Sequence, residues 1–289
     1  MKAVDIKAIF HKELDAIYGA NEVTSFFYLC LTHYLNIQRF QLAIQPELTL
    51  SKQETDFFLK ALEALKLQEP IQYILGETEF YGLTFKVNKN VLIPRQETEE
   101  LVDLIIKSSE IKRKQALRVL DIGTGSGCIA ISLAKHIPSA TVFALDISKQ
   151  ALDVAKENAK INEVEIQFVC ADILDENNRY SRFEGLEFDI IVSNPPYVRL
   201  SEKSEIMPNV LEHEPHLALF VRDKDPLIFY RAITDFAKKK LKPKGQLYFE
   251  INQYLGKETK QLLIDADFTA IELFEDLNSN QRMLKGTKK

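Results

Sequence analysis

Chemistry-bearing side chains are concentrated in the segment Asn194-Pro195-Pro196-Tyr197, which follows the apolar run Asp189-Ile-Ile-Val-Ser193. Two successive prolines lack backbone N–H donors and have fixed φ angles, so the carbonyl of Pro195 is rigid and free to accept a hydrogen bond. The Asn194 side-chain amide can donate and accept, and Tyr197 offers a flat aromatic face. These groups suit the presentation of a planar nitrogen, either a carboxamide or the exocyclic amine of adenine.

A second candidate site is the glycine loop Gly123-Thr124-Gly125-Ser126-Gly127, which follows Asp121 at the end of an apolar run. Glycines permit a tight turn and let a ligand approach the backbone closely. Such a loop alone also fits a nicotinamide dinucleotide enzyme or a structural turn. The GxGxG spacing, and an acid that repels a pyrophosphate but attracts a cationic amino group directly or through water, favour S-adenosylmethionine. We therefore assign a donor pocket to Asp121, Gly123, Thr124, Gly125, Ser126 and Gly127.

Two further acidic residues end the next predicted strands. Asp146 follows Val142-Phe-Ala-Leu145, where a carboxylate can accept hydrogen bonds from two ribose hydroxyls, and Ile147 is assigned to the same pocket. Asp172 can accept from an adenine amino group, and Ile173 can cover the adenine ring. Taken alone, Asp172 fits a helix N-cap better than an adenine contact.

The chemistry follows from the weakness of an amide nucleophile. Its lone pair is delocalised into the carbonyl, and no ordinary side-chain base fully deprotonates it near neutral pH. If the Asn194 side-chain oxygen and the Pro195 carbonyl accept its two N–H groups, the nitrogen is held with its lone pair aimed at the methyl carbon. We predict that Asn194, Pro195 and Tyr197 are catalytic, that Pro196 joins them in binding the substrate, and that Asn194 also borders the donor.

These segments need a fold that brings them together. From Leu117 onward, short apolar runs alternate with helical spacing, which predicts a doubly wound α/β sheet. Together with the glycine loop and Asn194 to Tyr197, this pattern resembles the class I (Rossmann-like) methyltransferases, and the resemblance implies a seven-stranded, mainly parallel sheet. The carboxyl ends of parallel strands share one edge, so the glycine loop, the acids and Asn194 are expected there. The predicted strands are 118–121, 141–146, 166–171, 189–193, 246–251, 270–274 and 282–284.

The preceding chain predicts two smaller parts. Residues 1–75 show helical spacing, with helices ending at Gly19, running from Glu22 to Phe40, and starting at Ser51, where Ser51-Lys-Gln-Glu54 matches a capping box. Alternation over 78–93, with a turn at 88–90, predicts a connecting β-hairpin. The predicted domains are a helical bundle at 1–75, a hairpin linker at 76–95 and a methyltransferase domain at 96–289.

Composition limits the partners. The chain has 37 Lys and Arg against 42 Asp and Glu, a formal net charge of −5, so no overall basic field attracts polyanions. The lysines within 238–244 fit a solvated helix end better than a nucleic-acid patch. No metal is expected, because Pro215 interrupts the histidine pair of His213-Glu-Pro-His216. We expect a cytoplasmic monomer with reduced cysteines and with no stable nucleic-acid or membrane partner.

The motifs also carry a family resemblance. In order along nearly the whole chain, they resemble the HemK/PrmC family, the N5-glutamine methyltransferases of peptide chain release factors. The matching segments are the glycine loop, Asn194 to Tyr197, and residues 80–85, 91–99, 214–219 and 280–282. Gln96 replaces the second proline of the family's Pro-Arg-Pro, and Asp172-Ile173 departs from the aromatic residue of some members.

The resemblance implies transfer of a methyl group from S-adenosylmethionine to the side-chain N5 of glutamine in the Gly-Gly-Gln motif of class I release factors, leaving S-adenosylhomocysteine. It also implies that the helical N-terminal domain recognises the release factor and that Arg95 and Glu97 bind substrate. Three alternatives stay open: a ribosomal-protein glutamine methyltransferase, an adenine-N6 nucleic-acid methyltransferase, and a donor-binding module without activity. The first typically carries Ser-Pro-Ile-Ala-Glu where this chain has Gln96-Glu97-Thr98-Glu99.

Overall fold

The computed structural model describes residues 1–108 and 116–289. Within them the chain forms two compact units, Met1–Gly76 with Met207–His213, and Glu77–Ile206 with Glu214–Lys289. The helices are α1 Ala3–Tyr18, α2 Ala20–Leu35, α3 Arg39–Ile44, α4 Lys52–Lys66, α5 Ile71–Leu75, α6 Gln96–Lys107, α7 Cys128–His136, α8 Lys149–Ile161, α9 Glu176–Ser181, α10 Pro208–His213, α11 His216–Leu219, α12 Ile228–Lys240 and α13 Gly256–Asp265. The strands are β1 Glu77–Phe80, β2 Leu83–Lys86, β3 Leu117–Ile122, β4 Ala140–Asp146, β5 Ile166–Cys170, β6 Phe188–Ser193, β7 Val198–Arg199, β8 Phe220–Val221, β9 Leu241–Glu250, β10 Thr269–Glu275 and β11 Gln281–Thr287.

The first unit is helical, as predicted, but its second helix is shorter than predicted. The predicted helix from Glu22 to Phe40 is wrong in its extent, because Asn36 adopts the left-handed conformation with φ 53° and ends α2. The capping box of α4 is confirmed. The Glu54 N–H donates to Ser51 Oγ at 3.2 Å, and the Ser51 N–H donates to the Glu54 carboxylate at 2.7 Å.

Aromatic packing forms the core of this first unit. The rings of Phe10, Phe27 and Phe58 are fully buried, and their centroids lie 5.7 to 6.4 Å apart. Because each buried phenylalanine contributes about 1.5–3 kcal/mol of transfer free energy, this trio accounts for much of the cohesion of a small helical unit.

The β-hairpin is confirmed, with a different turn from the one predicted. Strands β1 and β2 pair antiparallel from Glu77↔Lys86 to Phe80↔Leu83, so the chain reverses at Tyr81-Gly82 rather than at 88–90. Gly82 supplies a φ of +72° for this tight reversal. The hairpin lies in the second unit, where two asparagines of α8 bind its backbone: Asn158 to Lys86 at 2.6 and 2.9 Å, and Asn162 to Thr84 at 2.9 Å.

The second unit contains the predicted seven-stranded sheet, in the order β10-β11-β9-β6-β3-β4-β5. Strands β9, β6, β3, β4 and β5 are parallel neighbours, and β11 pairs antiparallel with β9 and β10. All seven predicted strands are present, and β9 begins five residues earlier than predicted, at Leu241. Along β6, Ile190 and Val192 pack in one buried cluster and Ile191 in another, so the sheet is covered on both faces.

The strand order places a topological switch beside β3. The chain runs from β3 outward to β4 and β5, and then returns to β6 on the other side of β3. Open α/β sheets bind ligands at the carboxyl ends of the strands next to such a switch. Among the residues the structure describes, no helix has the length and apolarity needed to cross a membrane.

Candidate active site

The four sequence motifs meet at the carboxyl edge of the sheet. Ile122 of β3 pairs with Ser193 of β6 and with Leu145 of β4, and Ser193 Oγ donates to the Ile122 carbonyl at 2.6 Å. This pairing brings the residues that follow β3 and β6 side by side. The backbone carbonyl oxygen of Asn194 lies 3.9 Å from the position a Cβ would occupy on Gly123.

The glycine loop is shaped by its contacts with β4 and α8. The N–H groups of Gly123 and Thr124 both donate to the Leu145 carbonyl, at 2.8 and 3.0 Å. At Gly127 φ is +83°, and an added Cβ would lie 2.9 Å from Ile131 Cδ1 and 3.1 Å from Ala155 Cβ. Glycine is therefore required there for both backbone conformation and close helix packing.

Asp146 connects the loop to the end of β4. One carboxylate oxygen accepts the Gly125 N–H at 2.9 Å, and the other accepts the Ser148 N–H at 2.8 Å. Burial raises the pKa of Asp146, and the hydrogen bonds from backbone N–H groups, Ser148 first, oppose that rise. Since each carboxylate oxygen can accept more than one hydrogen bond, Asp146 keeps capacity for two hydroxyl groups of a ligand.

Asp121 lies beneath the loop and is fully buried. Thr124 Oγ1 donates to one of its carboxylate oxygens at 2.6 Å, and the other has no hydrogen-bond partner among the described residues. Burial raises the pKa of Asp121 to about 7, and the charge of Asp146 acts in the same direction. The Asp121 side chain thus holds the loop through Thr124. Because it is fully buried, it can influence a ligand amino group only indirectly, through the residues of the loop.

The two isoleucines assigned to the donor pocket differ in position. Ile147, directly after Asp146, is 49% exposed, so it offers an apolar surface next to that carboxylate. Ile173 is 6% exposed and packs within the core of the domain. Asp172 accepts the Leu174 N–H at 2.8 Å, and the N-cap of α9 is Asp175. Ile147 is thus the more exposed of the two side chains.

Asn194 belongs to a set of hydrogen-bonded residues that we term the Glu250 network: Asn194, Thr98, Glu250 and Tyr197. Asn194 Nδ2 donates to Thr98 Oγ1 at 3.1 Å, and Thr98 Oγ1 donates to Glu250 Oε2 at 2.6 Å. Tyr197 Oη donates to Glu250 Oε1 at 3.0 Å. Glu250 is 1% exposed and ends β9, the strand next to β6.

Tyr197 is positioned at both of its ends. Its backbone carbonyl accepts from Asn252 Nδ2 at 3.1 Å, while its hydroxyl is bound to Glu250. Burial, followed by the negative charge of Glu250, raises the pKa of Tyr197. A phenol that stays protonated cannot serve as a base at neutral pH, so its ring is the part available to a substrate. Pro195 is buried and Pro196 is half-buried between the two anchored residues.

The two residues assigned to substrate through the family resemblance lie in different surroundings. Glu97, in the first turn of α6, is close enough for its charge to raise the pKa of both Tyr197 and Glu250. The Arg95 guanidinium forms an ion pair with Glu214 at 2.5 Å, and Glu214 also accepts the Ile93 N–H at 3.1 Å. The ion pair therefore links the segment before α6 to the segment between α10 and α11.

Sequence reasoning missed three residues at this site: Thr98, Glu250 and Arg282. The charge of Arg282 lowers the pKa of both Glu250 and Tyr197, and its side chain is bound to Asp276 at 3.4 Å. Thr98 and Arg282 fall in two of the segments that carry the family resemblance, and Glu250 lies within the predicted strand 246–251. These positions in the sequence were the signal that could have identified the three residues. That their side chains meet at one site depends on the tertiary fold.

The edge fits a nucleoside-bearing donor. Among the described residues, no atom lies within 4 Å of a Cβ added at Gly125, whose N–H donates to Asp146, and the exposed Ile147 directly follows Asp146. Acceptors for hydroxyl groups, an exposed apolar side chain and glycine backbone are the features such a ligand needs. In the described parts of the chain, no group of three or more His, Cys, Asp and Glu side chains is arranged to hold a metal ion.

Comparison with known proteins identifies related domains and chains. Residues 12–76 match the PrmC N-terminal domain, and residues 102–217 match the Methyltransferase small domain. A release factor glutamine methyltransferase from Flavobacterium psychrophilum is 53% identical over 96% of this chain and 95% of its own length. One of the same name from Bacteroides thetaiotaomicron is 40% identical over 98% and 99%.

Solved structures show a similar fold at low sequence identity. The Thermus thermophilus 16S rRNA N2 G1207 methyltransferase, in complex with AdoMet and guanosine, covers 74% of this chain and 50% of its own at 18% identity and a TM-score of 0.53. A Pyrococcus furiosus methyltransferase covers 82% and 99% at 16% identity and a TM-score of 0.51. These two show the class I methyltransferase fold, and the near-full-length relatives show the family. The chain belongs to the release factor glutamine methyltransferase family.

Proposed function

We propose that this enzyme transfers a methyl group from S-adenosylmethionine to the side-chain N5 of the glutamine in the Gly-Gly-Gln motif of peptide chain release factors. The observation that carries the proposal is the closeness of the Asn194 segment to the glycine loop, with the Asn194 carbonyl oxygen 3.9 Å from a Cβ built on Gly123, which supports the inference that carboxamide and donor bind side by side. The relatives named release factor glutamine methyltransferase support the choice of substrate.

The donor side of the site is formed by the first two strand ends. The backbone of Gly123 and Gly125 and the carboxylate of Asp146 hold the nucleoside, and Ile147 covers its ring. Thr124, Ser126 and Gly127 fix the shape of the loop. When bound, the donor supplies an electrophilic methyl group on a positively charged sulfur.

The substrate side is formed by Asn194 to Tyr197. The Asn194 side-chain oxygen and the Pro195 carbonyl accept the two N–H groups of the glutamine amide, and the Tyr197 ring covers its flat face. The new N–C bond forms as the C–S bond breaks, the electron pair stays on sulfur, and the nitrogen loses one proton to solvent. Glu97 and the Arg95–Glu214 pair border the substrate.

The charge distribution supports a protein substrate over a nucleic acid. Three lysines of the basic run at 238–244 are already engaged: Lys238 with Asp267, Lys240 with a backbone carbonyl, and Lys242 with Asp189. With a net charge of −5, the chain offers little attraction for a polyanion. The helical N-terminal unit recognises the release factor, and the enzyme works as a cytoplasmic monomer.

The test is a substrate comparison with the full chain and donor labelled in its methyl group. Release factor, ribosomal protein and adenine-containing DNA or RNA are offered separately. Label should enter the release factor and disappear when the Gly-Gly-Gln glutamine is changed to alanine. Label that survives this change, or that enters adenine or ribosomal protein in its place, would overturn the proposal.

A further inference from the structure

The Glu250 network has a fixed direction of hydrogen bonding. Thr98 Oγ1 has a single hydroxyl proton, and it uses this proton to donate a hydrogen bond to Glu250 Oε2 at 2.6 Å. With its proton used, Thr98 Oγ1 can only accept from its remaining neighbour. The group that Asn194 turns toward it must therefore be the NH2, as the 3.1 Å contact from Nδ2 shows.

We propose that Thr98 and Glu250 are positioning residues that fix the direction of the Asn194 carboxamide, so that its oxygen faces the substrate nitrogen. This inference rests on the proposed function and adds two residues to it. Were Asn194 reversed, its oxygen would face Thr98 Oγ1 with no proton between them, so two acceptor atoms would oppose each other and the hydrogen bond would be lost. Its NH2 would then face a substrate amide that needs an acceptor.

Burial and the hydrogen bonds to Glu250 act on its pKa in opposite directions. Burial raises the pKa of Glu250, whereas hydrogen bonds from Thr98 and Tyr197 and the positive charge of Arg282 lower it. Arg282 is itself held by Asp276, which is buried and has a lowered pKa. Two hydroxyl donors and one nearby cation thus offset part of the cost of removing Glu250 from water, and its pKa stays above the ordinary value.

The other end of the network serves the same site. Because Tyr197 Oη donates to the second oxygen of Glu250, one carboxylate positions both a carboxamide and an aromatic ring at the two ends of one motif. The sequence separations are 96 residues for Asn194–Thr98 and 152 for Thr98–Glu250, so only the folded domain assembles it. Neither Thr98 nor Glu250 contacts the reacting atoms.

The test uses the full chain with Thr98→Val, which keeps the shape and removes the hydroxyl, and Thr98→Ser, which restores it. Thr98→Val should lower kcat about a hundredfold, as expected when a reacting group loses its alignment. Its KM for release factor and its affinity for S-adenosylhomocysteine should change little. Thr98→Ser should recover turnover close to the wild type.

Two further variants separate positioning from folding. Thr259→Val removes another fully buried threonine hydroxyl of the same domain, one that donates to the Leu255 carbonyl at 2.8 Å, and should leave kcat unchanged. Glu250→Gln allows an amide NH2 to face Thr98, so the threonine hydroxyl can turn toward Asn194 and the fixed direction is lost. It should lower kcat as Thr98→Val does.

A readout independent of turnover is hydrogen exchange of the Asn194 side-chain NH2, followed by NMR and assigned through Asn194→Ala. One of its protons should be protected in the wild type and in Thr98→Ser but not in Thr98→Val. Wild-type turnover by Thr98→Val, or equal exchange in all variants, would overturn the inference. Correct exchange behaviour in an enzyme that does not label the release factor would instead overturn the proposed function alone.

Discussion

The backbone carbonyl oxygen of Asn194 lies 3.9 Å from the point where Gly123 would carry a Cβ. The segment after β6, which begins at Asn194, thus lies next to the glycine loop after β3, which begins at Gly123. It is possible because the two strands are parallel neighbours in register at Ile122↔Ser193. At 3.9 Å a Cβ on Gly123 would make only an ordinary van der Waals contact, so the position favours glycine because of its φ of +77°.

Replacement of Asn194 by alanine tests its role as the acceptor. The variant lacks the carboxamide, and turnover should fall by about a hundredfold or more, the usual cost of removing one group that polarises the reacting centre. Affinity for S-adenosylhomocysteine, measured by calorimetry, should stay within a few-fold because Asp146 and the glycine loop are unchanged. Unchanged turnover would contradict the mechanism.

Asp146→Asn tests the donor pocket. Both carboxylate oxygens accept backbone N–H groups, so an asparagine must turn its NH2 toward one of these donors and lose that hydrogen bond. Donor affinity should fall by about tenfold or more, since a lost bond to a charged group is worth about 1.5–3 kcal/mol. Asp153→Asn, on an exposed salt bridge of α8, is the matched control and should bind the donor normally. Equal affinity of both variants would exclude this role for Asp146.

Gly127→Ala tests the packing of the loop against α8. The added methyl meets Ile131 and Ala155 and also requires a φ of +83°, so we expect a loss of about 2–4 kcal/mol of unfolding free energy and weaker donor binding. Gly185→Ala shares the positive φ, +69°, but has open space around it, and should lose only about 1–2 kcal/mol. Chemical unfolding of the two variants separates crowding from backbone strain. Similar losses in both would show that close packing at Gly127 contributes nothing.

Asp121 predicts a pH dependence of stability. Its pKa is about 7 in the folded protein against an ordinary value of 3.8, so between roughly pH 4 and 7 the folded state binds a proton that the unfolded state has released. Its contribution to stability therefore falls as pH rises through this window. The side chain of Asp121→Asn cannot ionise. Relative to the wild type, the free energy of unfolding of this variant should therefore rise by up to about 1.4 kcal/mol for each pH unit in this window. Unfolding free energies of both proteins that change in parallel between pH 5 and 7 would contradict this.

Local sequence was sufficient for the main elements of the site. Gly123 to Gly127, Asp146 and Asn194 to Tyr197 each follow a strand whose apolar pattern is readable, and parallel strands carry such residues to one edge. The strand pattern likewise predicted the seven-stranded sheet. Apolar periodicity is a local property of the sequence, so these strands and the residues that follow them can be predicted from it.

The parts that sequence reasoning missed depend on tertiary contacts. Ile147 and Ile173 both follow an acidic residue at a strand end, so the sequence does not distinguish them. The core covers Ile173 and leaves Ile147 exposed. The meeting of Thr98 with Glu250 depends on α6 and β9 packing in one domain. The turn predicted at 88–90 is present, with the Val91 N–H donating to the Asn88 carbonyl at 3.0 Å, but cross-strand pairing makes the hairpin reverse at Tyr81-Gly82.

The central claim is most directly tested by mass spectrometric localisation of the methyl group on a release factor after reaction with the purified full chain and S-adenosylmethionine. We predict a single added methyl on the N5 of the Gly-Gly-Gln glutamine, formed by the wild type and almost absent with Asn194→Ala. A methyl group on another residue, or equal methylation by both enzymes, would contradict the account.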